Sequence, residues 1–120
     1  MPAKYKTLEE GFAVAQLAQS TRHLFLCLGP DCAPISEGQT CWDYLKRRCA
    51  ELNLQVMRTK AGCLRVCIGG PWLLIYPEGV WYGSVTPDRL ERILQEHIVA
   101  GKPISEWIAR THPLGNAVPT

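Results

Sequence analysis

Three observations predict an α/β chain with a four-stranded mixed sheet flanked by helices. Apolar residues switch between helical and strand spacing in the order helix, strand, helix, strand, hairpin, helix. A strand, a helix and a second strand in that order call for parallel pairing through a right-handed crossover. Two later apolar segments, separated only by Pro77-Glu78-Gly79, form a hairpin. With 120 residues, 47% hydrophobic and 20% charged, the chain is one packed domain and not a disordered one.

Residues 7 to 19 carry Leu8, Phe12 and Ala15 at helical steps, with Val14 and Leu17 widening the stripe. Gly11 weakens this helix by about 1 kcal/mol relative to alanine. It reads as a peripheral helix or a partly ordered arm, so residues 1–20 form an N-terminal helical extension. His23 to Leu28 is nearly unbroken in its apolar character, as in a strand buried on both faces. Gly29-Pro30-Asp31 ends it, and Pro34 and Gly38 keep the following loop from being helical throughout.

The second helix is expected to begin at Cys41 with Thr40 as N-cap. Trp42, Leu45, Cys49 and Leu52 form its core-facing stripe, and Lys46, Arg47 and Arg48 lie mostly opposite. Leu54 to Arg58 reads as a strand. Trp72–Tyr76 and Val80–Tyr82 are the hairpin strands. Thr86-Pro87 caps and opens the last helix, with Val85 and Leu90 placed as a hydrophobic staple. Leu90, Ile93, Leu94, His97 and Ile98 form its apolar face; Gly101 and Pro103 end it. Residues 21–108 then form the domain, and 109–120, with two prolines and a glycine, a loose tail. The element order matches a thioredoxin-like layout.

Formal net charge is +2, too small to make nucleic acid or an anionic membrane the principal partner. No apolar run approaches the ~20 residues that span a bilayer. The first six residues have charge but no apolar stretch behind them, so a cytoplasmic location is expected. In that compartment cysteines are more often metal ligands, redox thiols or core residues than disulfides.

The chemistry is carried by two cysteine pairs. Four residues separate Cys27 from Cys32, and three separate Cys63 from Cys67. In the predicted layout the first pair sits at the C-terminal end of a parallel strand, where α/β folds place ligands, and the second in the connection before the hairpin. Four converging thiolates suit a soft metal centre, an iron–sulfur cluster or zinc. Gly62, Gly69 and Gly70 would let backbone amides approach the sulfurs. Zinc knuckles and dithiol oxidoreductases both favour two residues between cysteines, a spacing absent here. A zinc-stabilised interaction module and a thiol-dependent oxidoreductase using Cys63 and Cys67 remain the alternatives.

Cys27, Cys32, Cys63 and Cys67, with Gly70-Pro71 and Tyr76-Pro-Glu-Gly-Val-Trp-Tyr82, resemble the thioredoxin-like 2Fe-2S ferredoxin family from about His23 to Trp107. The cysteine spacing is also similar to that of the cluster-bearing small subunit of NADH dehydrogenases. The resemblance implies a soluble one-electron carrier, one 2Fe-2S cluster on those four cysteines, redox protein partners, and often a homodimer. Such a cluster with its four thiolates carries about −2, bringing the holo-protein to about neutral.

Some family members have a longer first gap, and thirteen residues separate Cys27 from Cys41, so Cys41 competes with Cys32 as second ligand. Cys32 is preferred because it lies in a loop, whereas Cys41 starts a helix on its core side. Cys49 shares the core stripe and reads as a small hydrophobe.

His23, His97 and His112 are read as structural or exposed residues and not ligands. Arg58, Lys60 and Arg65 flank the second pair, as stabilisers of a reduced cluster, a docking patch, or ordinary surface. Trp72, Trp81 and Tyr82 are read as core packing ahead of a contact patch. No nucleophile–base pair, phosphate loop or paired-acid constellation stands out, so the chain is not expected to be an enzyme.

Overall fold

The computed structural model describes residues 7–113. Whatever the sequence implies for 1–6 and 114–120 lies outside the described residues. The elements are α1 (Leu8–Val14), β1 (Arg22–Cys27), α2 (Ile35–Glu51), β2 (Val56–Ala61), β3 (Leu73–Tyr76), β4 (Val80–Tyr82), α3 (Pro87–Ile93) and β5 (Ile108–Thr111). The sheet has five strands in the order β2-β1-β3-β4-β5. β1 and β2 are parallel, in register from Arg22↔Val56 to Cys27↔Ala61, and the other pairs are antiparallel.

Strand alternation sorts the side chains. Leu24 and Leu26 of β1 pair with Ile75 and Leu73 of β3, which pair with Val80 and Tyr82 of β4. All six are buried, in one cluster with Cys41, Leu45 and Cys49 of α2 and Leu90 and Ile93 of α3. The helices therefore cover one face. On the other, His23 stacks on Phe25, which meets Tyr76 edge-on, and all three remain half-exposed. β1 is thus not sealed on both faces as its apolar run suggested. Arg48 donates two hydrogen bonds to Glu91, of 2.7 and 3.0 Å, tying α2 to α3.

α2 starts six residues earlier than expected, and Gly38 is the reason. A Cβ there would lie 2.4 Å from the Leu28 carbonyl oxygen. The glycine is a spacer that lets the helix press on the end of β1, not a breaker. The other end of α2 is a Schellman motif, with Asn53 left-handed at φ 52°. Asn53 N–H donates to Ala50 O and Leu54 N–H to Cys49 O. Leu54 is consumed by that cap, so β2 begins at Val56 and not Leu54.

Thr86 caps α3, its hydroxyl accepting from Arg89 N–H at 3.2 Å. Beyond Ile93 the helix continues as π-helical turns through Val99, with Gly101 left-handed past its end. β5 corrects the expectation of four strands and of a tail from residue 109. Its side chains are mostly exposed, and it is held at the edge by pairing to β4 and by His112 N–H donating to Gly79 O. α1 is shorter than expected and buries no residue; Leu8 is 79% exposed. No described helix is long and apolar enough to cross a membrane.

Candidate metal centre

The register of β1 on β2 builds the site. Cys27 lies beside Ala61, and the chain leaves both strands at the same end of the sheet. One exit leads to Asp31 and Cys32, the other to Cys63 and Cys67. In the first loop Gly29 is left-handed at φ 93°, and a Cβ there would fall 2.0 Å from the Ala33 carbonyl oxygen. This tight fold returns Cys32 to Cys27, with the two sulfurs 2.6 Å apart. Both are buried with Ala33 in a small cluster, packed by Leu64 and Trp72, separate from the helix-side core.

The second pair is exposed, with its sulfurs 3.9 Å apart. A tetrahedral metal with bonds of ~2.3 Å holds two sulfurs roughly 3.8 Å apart. Cys63 and Cys67 already stand at that separation, whereas Cys27 and Cys32 must open by about 1 Å. The loops meet: a carboxylate oxygen of Asp31 and the sulfurs of Cys63 and Cys67 lie within 4.8 Å of one another.

Backbone amides reach the sulfurs, though not those of the glycines expected. Trp72 N–H donates to Cys27 Sγ at 3.0 Å and Arg65 N–H to Cys63 Sγ at 3.1 Å. Arg65 is left-handed at φ 73°, a conformation uncommon outside glycine, in the turn that brings its N–H to Cys63. Gly70 instead donates to the Cys32 carbonyl at 3.0 Å and packs on its side chain, where a Cβ would sit 2.8 Å from Cys32 Cβ. A Cβ on Gly62 would meet nothing within 4 Å. Ser84 N–H to Gly69 O and Val85 N–H to Pro71 O fasten this loop to the end of the hairpin.

Cys27 and Cys67 are hard to ionise without a cation. Burial, then hydrogen bonding with Cys32, pushes Cys27 up to about 12. Cys67 is also raised, first by its hydrogen bond with Cys63, with smaller contributions from Asp31 and Cys32. Metal binding here must release protons, which a soft cation does by replacing S–H with metal–sulfur bonds. Four thiols on converging loops, with N–H donors at two sulfurs, fit a centre bearing negative charge.

Cys41 and Cys49 lie in the helix-side core. The Cys41 thiol donates to Val85 O at 3.4 Å and is pushed up to about 11 by burial and then Glu37. His23 bonds Thr59, and His97 is fully buried between Tyr82 and Glu78. No histidine joins the metal-capable cluster among the described residues. Arg58 and Lys60 stack over Trp42 of α2, leaving Arg65 as the cation on the cysteine loop. Tyr82 is core. Trp72 and Trp81 meet edge-on along a groove of about 410 Å³ bordered by Arg110 and His112. Sequence reasoning missed Asp31; its only signal was its place one residue before Cys32.

No protein-family model matches the chain. A 2Fe-2S ferredoxin from Clostridium pasteurianum is 44% identical over 54 residues, 45% of this chain and 53% of that protein. A putative 2Fe-2S ferredoxin from Priestia megaterium is 32% identical over 85 residues, 70% of this chain and 66% of that protein. The chain thus spans about half the length of the clostridial relative. A solved thioredoxin-like [2Fe-2S] ferredoxin from Aquifex aeolicus superposes with a TM-score of 0.67 at 25% identity, covering 80% of this chain and 97% of that one.

Proposed function

The chain belongs to the thioredoxin-like 2Fe-2S ferredoxin family, and from that premise we propose a one-electron carrier, not an enzyme, that holds one 2Fe-2S cluster through Cys27, Cys32, Cys63 and Cys67. The observation that carries this reading is the parallel register of Cys27 with Ala61, from which both cysteine loops leave the same sheet end. When bound, the cluster supplies redox-active iron that takes up and gives back one electron.

The chain's residues supply the setting. Cys27 and Cys32 hold the buried half, away from water. Cys63 and Cys67 hold the exposed half, through which a redox protein partner exchanges electrons. The N–H groups of Trp72 and Arg65 stabilise added negative charge and so raise the reduction potential, which opposes the effect of burial. The functional unit runs from residue 21 through β5, with residues 1–20 as an arm. The six free cysteines support a reducing, cytoplasmic setting, and a homodimer accords with the family resemblance.

Anaerobic purification tests this reading. We expect a reddish-brown protein with about two irons and two sulfides per chain and visible absorption that bleaches on reduction. Colourless protein with one zinc, or metal-free protein cycling a disulfide, would sink it.

A further inference from the structure

We propose that the cluster-free chain has a mononuclear divalent-metal site made of Asp31, Cys63 and Cys67, a two-sulfur, one-oxygen donor set for zinc or ferrous iron. It shares two cysteines with the four-cysteine reading but does not require a cluster to form. The three donor atoms lie within 4.8 Å of one another, and all three residues are exposed. The two sulfurs, 3.9 Å apart, already span a tetrahedral edge. A carboxylate oxygen bonding at ~2.1 Å completes a third vertex after closing by at most about 1 Å, with water as the fourth ligand.

The other pair is a poorer first receptor. Cys27 and Cys32 are buried, in mutual contact at 2.6 Å, and covered by Trp72 and Leu64. An ion arriving from solvent meets Asp31, Cys63 and Cys67 first. Borderline divalent ions accept this mixed thiolate–carboxylate set, whereas magnesium and calcium prefer all-oxygen sites. Binding releases the two thiol protons to buffer and leaves a bound unit of net charge −1. Asp31 thus serves as a provisional ligand to the metal held by Cys63 and Cys67, and would give way to bridging sulfide when a full cluster forms.

Cobalt(II) is the probe, because its near-ultraviolet charge-transfer intensity counts bound thiolates. Full-length cluster-free protein should bind one cobalt with the intensity of two thiolates. Asp31→Ala and Asp31→Asn, both at an exposed position, should each weaken binding at least tenfold, and zinc should displace the cobalt. Unchanged affinity in both variants, or a four-thiolate spectrum indifferent to Asp31, overturns the proposal. Reconstitution with iron and sulfide separates the two readings. A wild-type chain that takes up no cluster yet shows Asp31-dependent cobalt binding defeats the four-cysteine carrier and upholds this site. A chain that takes up cluster, but binds cobalt equally well without Asp31, defeats this site alone.

Discussion

The Nε2 atom of His97 lies 2.7 Å from Glu78 Oε2 in the interior, beneath the turn that joins β3 to β4. The hydrogen bonds around the pair fix its protons. Ile104 N–H donates to the Tyr82 oxygen, and because the ionised Glu78 carboxylate takes the Nε2–H of a neutral His97, Nδ1 is left to accept from the Tyr82 hydroxyl. His97 Nε2–H then donates to Glu78, whose Oε2 also accepts from Arg22. The imidazole is neutral, with its proton on Nε2. Two residues of the Tyr76–Tyr82 segment thereby lock the hairpin to the π-helical turns after α3.

Tyr82→Phe leaves Ile104 N–H and His97 Nδ1 buried without partners. Unsatisfied buried groups cost about 1–3 kcal/mol. We expect a loss of that size in urea unfolding, with the visible spectrum of reconstituted protein unchanged. A loss within experimental error would mean that the network contributes nothing net.

Acid should weaken the fold in two stages. Burial holds His97 below its ordinary 6.5, against the opposing pull of Glu78. An unfolded chain therefore takes up this proton first as pH falls. The stability is complete above pH 6.5 and is lost as pH drops from 6.5 through the lower folded value. The carboxylates act lower. Burial raises Glu78, but hydrogen bonds from Arg22 and His97 outweigh it and hold it below 4.5. Glu91 is held at about 2 by Arg48, Gln95 and Tyr44. Both contribute above pH 4.5 and lose that contribution as pH falls through their folded values. In urea midpoints measured against pH, His97→Gln should flatten the stage just below 6.5 and keep the stage below 4.5.

Gly38→Ala places a methyl 2.4 Å from the Leu28 carbonyl oxygen, which is backbone and cannot swing aside. Overpacking of this kind costs about 1–3 kcal/mol. Because Leu28 begins the loop that carries Cys32, cluster occupancy should fall together with the unfolding midpoint. Wild-type occupancy and stability would show that α2 shifts freely.

Single serine substitutions should separate the six cysteines. Cys27, Cys32, Cys63 and Cys67 are expected to lose or markedly perturb the visible spectrum, and Cys41 and Cys49 to keep it. Cys41→Ser removes a thiol that faces Val85 O from within α2, so its effect should appear in stability alone. An intact spectrum in Cys32→Ser together with its loss in Cys41→Ser would reverse the ligand assignment.

Spacing alone made much of this legible. The strand–helix–strand unit, the hairpin, the Thr86 cap and the Trp42/Leu45/Cys49/Leu52 stripe follow local periodicity and capping chemistry, and the structure keeps them, with Leu45 and Cys49 buried and Trp42 and Leu52 packed against the core. The misses share a cause, which is that tertiary neighbours set them. Gly38 looks like a breaker until Leu28 lies against it. Ile108–Thr111 has no strand pattern because an edge strand with exposed side chains is chosen by its backbone partner. Trp72 and Arg65 N–H groups carry no side-chain signature at all, and Asp31 acquires meaning only once the loops meet.

Each cysteine loop hangs from its own strand terminus, and β1 and β2 are clasped along six paired positions. Lengthening or trimming either span would leave its anchor untouched, so the number of residues between ligands can drift among relatives while the grip on the inorganic core survives. Slipping one strand past the other by a single residue would instead swap inward for outward at every pair. Natural variation should therefore be generous in the spans and strict in the clasp.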